Sequence, residues 1–192
     1  MNTNHQSKLI PWQTLSSKYL IQDRWLTLRA DRCQNQSVIL DPFYVFEYNP
    51  WVTIVPITSN QEVVLIKQYR HGAGRIETEL PAGSKDHSDL SIKAAAEREL
   101  REETGYTADQ FEFVGKMSPN TSSHNNESHV YVAHDVRCTE SQNLDSSEEI
   151  DVFTVPLQQL PDMINRGEFG QAMHVAALHY ALLALGNIKY KF

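Results

Sequence analysis

Two repeating patterns of hydrophobic positions divide this chain into helical and extended segments. A helical period of about 3.6 residues runs through residues 91–104, and Gly105, which readily adopts the left-handed conformation, marks its end. Two further helical patterns occupy residues 157–165 and 171–185. The last of these is apolar almost all round, so we expect that helix to lie deep in the core.

Most of the remaining hydrophobic residues fall in short runs typical of β-strands. Residues 51–57 and 63–66 form two such runs, and the polar turn 58–61 between them predicts a hairpin. The other extended segments are predicted at 25–28, 38–46, 75–80, 111–114, 130–133 and 150–155. Because strands dominate and helices are interspersed, the pattern predicts an α/β or α+β sandwich rather than a doubly wound sheet.

The helix predicted at 91–104 carries charge on the face that should enter the core. At about 100° per residue, Ile92, Ala95 and Ala96 share one face, which continues through Glu99 and Glu103 with Glu102 at its edge. A solvated helix with several ion pairs is the ordinary explanation of such a charge run. The phase of the helical period argues against this explanation, because the opposite side of the helix is already polar. That side carries Lys93, Glu97, Arg101 and Thr104.

Three clustered carboxylates on an inward face need a compensating positive charge. Burying one ion costs several kcal/mol, and neighbouring like charges add repulsion. Arg98 lies one turn before Glu102 and can orient it. A hard divalent cation such as Mg²⁺, which takes oxygen ligands and bridges carboxylates to substrate phosphates, would balance the remainder. The spacing therefore predicts a metal site at the C-terminal end of this helix.

Composition narrows the classes of function. The 192 residues include 24 acidic and 17 Lys or Arg side chains, a formal charge of -7, and this acidic surplus argues against nonspecific binding to nucleic acid or anionic membranes. No Gly-rich phosphate loop of the Walker or Rossmann type is present. Cys33 and Cys138 lack metal-ligand spacing. The first residues show no secretory signal, and the longest apolar stretch, 173–185, is too short to span a bilayer. A cytoplasmic location is expected.

A known motif coincides with the charged helix. Residues 98–106 read RELREETGY and resemble the second half of the Nudix box, in which Arg-Glu, an aliphatic residue, any residue and Glu-Glu are followed by a Gly. The first half departs from the family pattern. The interval from Gly83 to Arg98 is one residue too long, and no Glu stands at the expected place. Either Asp89 substitutes for that Glu, or the loop 84–88 carries an insertion.

The resemblance extends over roughly residues 18–186. The segments that are similar to the ADP-ribose pyrophosphatase group of Nudix hydrolases are 68–72, 79–83, 148–152 and 167–168. This resemblance implies a Nudix α/β/α sandwich at 49–192 and a small N-terminal antiparallel β domain at 1–48. In that group the N-terminal domain commonly mediates a homodimer and contributes to base binding.

The resemblance also implies the roles of individual residues. The metal, Mg²⁺ or Mn²⁺, would be held by Glu99, Glu102, Glu103 and the backbone carbonyl of Ala82. Arg98 would orient the glutamates. The catalytic base would be Glu148, with Glu149 as the neighbouring option.

The residues that would bind the substrate are indicated less specifically than the metal ligands, because they lie outside the Nudix box. A guanidinium is suited to grip phosphate, so Arg70 is a candidate substrate ligand, together with Glu79 in the run 79–83. Arg70 could equally be a surface residue at a strand end. Trp25 resembles an aromatic that stacks on the nucleobase in some relatives, and packing within the N-terminal sheet is the alternative. Candidates for the opposite stacking wall are Phe43, Tyr44 and Phe46.

Taken with the predicted metal site, the resemblance implies a Mg²⁺-dependent hydrolase that cleaves the diphosphate of ADP-ribose to AMP and ribose 5-phosphate. Pro119-Asn120 stands where typical ADP-ribose enzymes have Pro-Gly, so another nucleoside diphosphate sugar, such as a GDP- or UDP-hexose, stays open. A catalytically silent Nudix domain that senses a nucleotide is disfavoured by retention of the three glutamates. Processing of RNA ends is disfavoured by the lack of a basic stripe. The expected partners are a small nucleotide and a second copy of the chain, with neither nucleic acid nor membrane.

Overall fold

The computed structural model describes residues 9–188, which form two compact units. The first unit runs to Tyr48 and also includes the distant segment Asn120–Asn126. The second unit consists of Asn49–Pro119 and the chain from Glu127 onward. No helix within the described residues is both long and apolar enough to cross a membrane.

The first unit contains a three-stranded antiparallel sheet in which each strand pairs with the next along the chain. Its strands are β1 (Gln13–Gln22), β2 (Thr27–Asn35) and β3 (Val38–Glu47). The prediction of a strand over residues 25–28 was wrong at its start, because Trp25 lies in the turn before β2. The carboxylate of Asp23 accepts hydrogen bonds from the backbone N–H groups of Trp25 (2.7 Å) and Leu26 (2.9 Å), which hold this turn.

The segment Asn120–Asn126 is bonded to the end of β3. Phe46 donates its N–H to the carbonyl of Ser123 (2.7 Å) and accepts one from Asn125 (3.2 Å). The rings of Phe46, Tyr48 and His124 lie with centroids 5.3–6.5 Å apart. These contacts join segments that are 77 residues apart in the chain, which no local pattern could indicate.

The second unit is built on a seven-stranded sheet. Five of its strands pair side by side in the order β12-β5-β4-β10-β9, and in addition β6 pairs with β5 and β7 pairs with β4. The pairing of β4 with β10 is parallel and the others are antiparallel. The strands are β4 (Trp51–Ile57), β5 (Glu62–Arg70), β6 (Arg75–Glu79), β7 (Ala82–Ser84), β9 (Gln110–Met117), β10 (Ser128–His134) and β12 (Ile150–Pro156); a separate ribbon pairs β8 (Tyr106–Thr107) with β11 (Arg137–Cys138).

Helices cover both faces of this sheet. The helix α1 (Ile92–Thr104) packs Ala95, Ala96 and Leu100 against a face that includes Val52 and Ile54. The opposite face, with residues such as Val55 and Leu65, is covered by α2 (Leu160–Asn165), which follows a 3₁₀ turn (Leu157–Gln159), and by α3 (Ala172–Ala184). Alternate residues of β4 thus enter two separate cores. The predicted α/β/α sandwich with a small antiparallel N-terminal sheet is confirmed.

The predicted limits of α1 agree with its caps. The Ser91 hydroxyl accepts a hydrogen bond from Ala94 N–H (3.0 Å), and Gly105 adopts φ 74° and donates to the Arg101 carbonyl (2.8 Å). The expected exposure of Thr104 was wrong. Thr104 is buried, its hydroxyl donates to the Leu100 carbonyl, and it accepts the N–H of Tyr106. Helix phase could not reveal this burial, because the chain turns at Gly105 and bonds back onto the last helical turn.

Candidate active site

The inward carboxylates of α1 line an acidic cavity of about 230 Å³ in the second unit. Its walls come from the loop before α1, from α1 itself and from the loop before β12. The lining residues are Asp86, Arg98, Glu99, Glu102, Glu103, Asn143, Asp145 and Glu148. Six acidic side chains therefore surround a single arginine, so the cavity has a strong net negative charge.

Arg98 holds two of the α1 glutamates. Its Nη1 donates to Glu99 Oε1 and to Glu102 Oε2, both at 3.0 Å. Its other edge forms two parallel bonds to the Asp89 carboxylate, Nε to Oδ1 at 3.1 Å and Nη2 to Oδ2 at 2.9 Å, and Nη2 also donates to the carbonyl of Ser84. These bonds raise the pKa of Arg98, so it stays charged. Asp89 is thus a carboxylate partner of Arg98. The sequence spacing alone had left the role of Asp89 undecided.

Gly83 permits Glu99 to occupy its position. A Cβ atom on Gly83 would lie 2.0 Å from Glu99 Oε1 and 2.1 Å from its Cδ. The glutamate therefore packs directly against the Gly83 backbone, where any larger residue would overlap it. The sequence shows this glycine only as part of the Pro-Ala-Gly turn, and its close contact with Glu99 becomes evident only in three dimensions.

Burial perturbs the proton affinity of the inward glutamates. Burial raises the pKa of Glu99 to about 7, against the opposing effect of Arg98 and with added repulsion from Glu102 and Glu148. Burial also raises the pKa of Glu103 well above its ordinary value, although its Oε2 accepts the backbone N–H of Ala82 at 2.9 Å. Carboxyl groups with raised proton affinity are typical of sites where a cation compensates the buried charge.

The donor set fits a hard divalent cation in chemical type and in charge. Carboxylate oxygens are the ligands that Mg²⁺ takes in proteins, and the cavity has five more acidic side chains than basic ones. Within residues 9–188, however, no three acidic, histidine or cysteine side chains are gathered closely enough to hold a metal in this conformation. The bonds from Arg98 to Glu99 and Glu102, and from Ala82 to Glu103, account for this, since each glutamate already faces a protein donor.

The loop before β12 brings one of the two candidate bases to the cavity. Glu148 lines it, whereas Glu149 does not. Glu148 Oε2 accepts the N–H of Asp145 at 3.0 Å, and Glu148 N–H donates to the Asp145 carbonyl at 2.9 Å. These two reciprocal bonds hold the Glu148 side chain over its own loop and beside the α1 glutamates.

The same loop is tied to the end of α1. Gln142 Nε2 donates to the carbonyls of Glu103 (2.7 Å) and Ile150 (3.2 Å), and Asn143 N–H donates to the carbonyl of Glu102 (2.9 Å). The loop thus satisfies carbonyl groups that a helix leaves unpaired at its C-terminus. Sequence reasoning missed the cavity residues Asp86, Asn143 and Asp145, and also Gln142, which ties the loop to α1, because none of them belongs to a motif.

Arg70 and Glu79 form a pair on neighbouring strands β5 and β6. Arg70 Nε and Nη2 donate to the two oxygens of Glu79, at 2.8 and 2.5 Å, and Gln68 Nε2 adds a third bond at 3.1 Å. Glu79 is only 2% exposed, whereas Arg70 is half-exposed. Glu79, and to a smaller extent the charges of Glu103 and Glu148, raise the pKa of Arg70. The pair is not among the residues that line the acidic cavity.

The predicted base-stacking residues lie in the first unit. Trp25 is 69% exposed and is covered by the Arg24 guanidinium, which lies 4.1 Å from the ring centroid. It therefore does not pack into the N-terminal sheet, which was the alternative interpretation. Phe43 and Tyr44 are also exposed, whereas Phe46 is partly buried and contacts Tyr48 and His124.

Comparison with known protein families agrees with this geometry. Residues 47–176 match the model of the NUDIX domain. The chain belongs to the Nudix family. Residues 12–46 match a second model, the nucleoside diphosphate sugar hydrolase N-terminal domain. The resemblance inferred from residues 98–106 is therefore confirmed.

Named proteins from several bacteria are similar to this Nudix protein. The methanol dehydrogenase activator of Bacillus methanolicus is 24% identical over 92% of this chain and 95% of its own length. The ADP compounds hydrolase NudE of Escherichia coli (strain K12) is 32% identical over 66% of this chain and 67% of its own. The ADP-ribose pyrophosphatase of Bacillus subtilis (strain 168) is 27% identical over 69% and 71%, respectively.

A solved structure extends the comparison to three dimensions. The crystal structure of an ADP compounds hydrolase superposes with a TM-score of 0.83 at 25% identity and covers 95% of this chain and 100% of its own. Together with the family match, these similarities confirm the predictions of the fold and of an enzyme of the Nudix pyrophosphatase type.

Proposed function

We propose that this Nudix enzyme hydrolyses the diphosphate bond of ADP-ribose, giving AMP and ribose 5-phosphate, with Mg²⁺ or Mn²⁺ as cofactor. The observation that carries the proposal is the meeting of Glu99, Glu102 and Glu103 with Glu148 in one acidic cavity. The names of the E. coli and B. subtilis relatives and of the superposed crystal structure support the choice of an ADP-linked substrate.

The cavity residues divide the work between cation binding and proton transfer. The cation would be held by Glu99, Glu102, Glu103 and the Ala82 carbonyl. When bound there, Mg²⁺ would neutralise negative charge on the diphosphate and lower the pKa of a bound water. Arg98 orients Glu99 and Glu102 through its Nη1 bonds. Because Oε2 of Glu148 already accepts a hydrogen bond from Asp145, we assign to its Oε1 the removal of the proton from the attacking water.

Arg70 is proposed to bind the substrate through the exposed part of its guanidinium. Glu79 is fully buried beneath it, so its proposed role in substrate binding is to orient Arg70 through two parallel bonds rather than to reach the substrate itself. A planar guanidinium held in this way presents its remaining N–H groups in a fixed direction, as phosphate or sugar oxygens require.

The first unit is proposed to mediate a homodimer and to contribute Trp25 as a stacking surface for the nucleobase. Large apolar side chains are exposed on β1 and β3, including Leu15, Ile21, Val38 and Ile39, as is typical of a sheet that packs against a partner. Size-exclusion chromatography with light scattering tests this assembly, and a monomer at micromolar concentration would contradict it.

Two unpaired cysteines, Cys33 and Cys138, support the proposal of a cytoplasmic location.

A substrate panel tests the proposed activity. Release of AMP from ADP-ribose is measured alongside GDP- and UDP-hexoses, with Mg²⁺, with Mn²⁺ and with a chelator. Glu102→Gln is expected to lower kcat/KM by more than about 100-fold with the fold retained, beyond the 10- to 100-fold typical of losing a residue that only supports a ligand. Glu97→Gln, on the exposed side of the same helix, is the matched control. No turnover of any nucleotide would favour the sensing domain, and preference for a hexose would change the substrate.

A further inference from the structure

His174 is a buried titratable residue with no part in the proposed chemistry. It lies in the first turn of α3, is 2% exposed, and its Nδ1 accepts the backbone N–H of Leu80 at 3.3 Å. Leu80 is itself fully buried. Since a buried backbone N–H requires an acceptor, His174 supplies one for Leu80, which lies just beyond the end of β6.

The bond defines the state of the ring. Because Nδ1 accepts a hydrogen bond, the neutral imidazole carries its proton on Nε2. Burial lowers the pKa of His174 to about 4, so the ring is neutral near pH 7. Its Nε2 lies 3.8 Å from Glu79 Oε2, which is longer than a hydrogen bond but brings the N–H edge toward the carboxylate.

The segment that His174 holds joins two parts of the proposed site. Glu79, one residue before Leu80, orients Arg70. Ala82, two residues after it, donates its N–H to Glu103. Between them, the carbonyl of Pro81 accepts the N–H of Ile54 at 2.9 Å, while Pro81 has no N–H to donate. Two bonds therefore hold the segment between its substrate side and its metal side, one from Ile54 to the Pro81 carbonyl and one from Leu80 to His174, and the second is the bond that anchors it to α3.

We propose that His174 is a positioning residue, which fixes the segment 79–82 from α3 so that Arg70 keeps its orientation for the diphosphate substrate. This inference rests on the proposed function. It differs from a merely structural role in its consequence: loss of the anchor should weaken substrate binding through Arg70, not simply lower the free energy of unfolding.

Steady-state kinetics with ADP-ribose and Mg²⁺ test the inference on three replacements of His174. His174→Leu removes both ring nitrogens, and we expect KM to rise about tenfold with a smaller change in kcat. His174→Asn places an oxygen near the position of Nδ1, where it can accept the Leu80 N–H, and should restore KM to within about threefold of wild type. His174→Gln reaches the position of Nε2 instead and should not restore it. His179→Leu, the same change further along α3, is the matched control.

A double-mutant cycle identifies the route of the effect. If His174 acts through Arg70, then His174→Leu should raise KM no further in an Arg70→Ala background. Additive effects on KM, or an unchanged KM in His174→Leu, would overturn the assignment. If His174→Leu does not fold, equal KM values for the Asn and Gln variants would overturn it as well. Absence of turnover in the wild-type enzyme would overturn the proposed function and this assignment together, whereas turnover with unchanged KM would overturn the assignment alone.

Discussion

Replacing Glu99 by glutamine is expected to stabilise the metal-free protein in a pH-dependent way. Burial raises the pKa of the Glu99 carboxyl from 4.5 to about 7 in the folded protein, and repulsion from Glu102 and Glu148 contributes. Between these two pH values the folded state binds more protons at this site than the unfolded chain does. The contribution of Glu99 to the free energy of unfolding therefore falls as the pH rises from about 4.5 to about 7 and stays reduced above that range.

The size of the effect follows from the same shift. A tenfold change in proton affinity corresponds to about 1.4 kcal/mol, so the difference between 4.5 and about 7 corresponds to roughly 3 kcal/mol. Glutamine keeps an oxygen that can accept the bond from Arg98 Nη1, and it has no charge to bury. We expect Glu99→Gln to exceed wild type in free energy of unfolding by about 2–3 kcal/mol near pH 8. Near pH 4.5 the two should differ little, since much of the wild-type carboxyl is then protonated in either state.

Urea unfolding in the presence of a chelator, followed by circular dichroism of the helices, measures this difference. Glu97→Gln is the control, because Glu97 lies on the exposed side of α1 in an ion pair with Lys93 and such pairs contribute about 0–1 kcal/mol. A constant difference between wild type and Glu99→Gln from pH 4.5 to 8 would refute the reasoning. A less stable variant at pH 8 would do the same, since it would mean that the charge of Glu99 stabilises the metal-free fold.

Three further changes test other contacts of the second unit. Gly83→Ala should leave the fold intact but displace the flexible Glu99 carboxylate, and a Mg²⁺ titration of activity should show a midpoint raised about tenfold. Gln142→Met should lower kcat about tenfold, with KM little changed, by loosening the loop that carries Glu148, whereas the exposed Gln158→Met should not. Because the folded ring resists protonation, His174 should by itself lower the stability of wild type by roughly 3 kcal/mol as pH falls from 6.5 to about 4, opposite in sign to the contribution of Glu99. His174→Asn should lack this contribution and gain in stability relative to wild type toward pH 4, whereas a constant difference between the two would contradict the reasoning.

Sequence by itself determined the chemistry of α1. The helical period placed Glu99 and Glu103 on the same face as Ala95, and a charged stripe that runs into a core requires a compensating partner. The motif at 98–106 then identified the family. These conclusions depend on one short continuous segment, residues 95–106, where the geometry of the helix relates spacing to direction without any knowledge of the rest of the fold.

Tertiary structure decided whatever depends on contacts between distant segments. It brought Asp89, in the loop before α1, to Arg98, and it placed Glu148 rather than Glu149 at the cavity. It also buried Glu79, which the run 79–83 presented as a candidate to meet the substrate. In each case the deciding interaction is a hydrogen bond or a burial that local periodicity does not encode.

His174 shows the same division most clearly. In the sequence it is a polar residue within a largely apolar helix. A histidine in such a position usually makes a hydrogen bond with a structural role. Its acceptor atom meets Leu80, which lies 94 residues earlier in the chain, just after the end of β6. Hydrophobic pattern determines that α3 must be buried, but only the packed fold determines which backbone N–H its single buried imidazole will face.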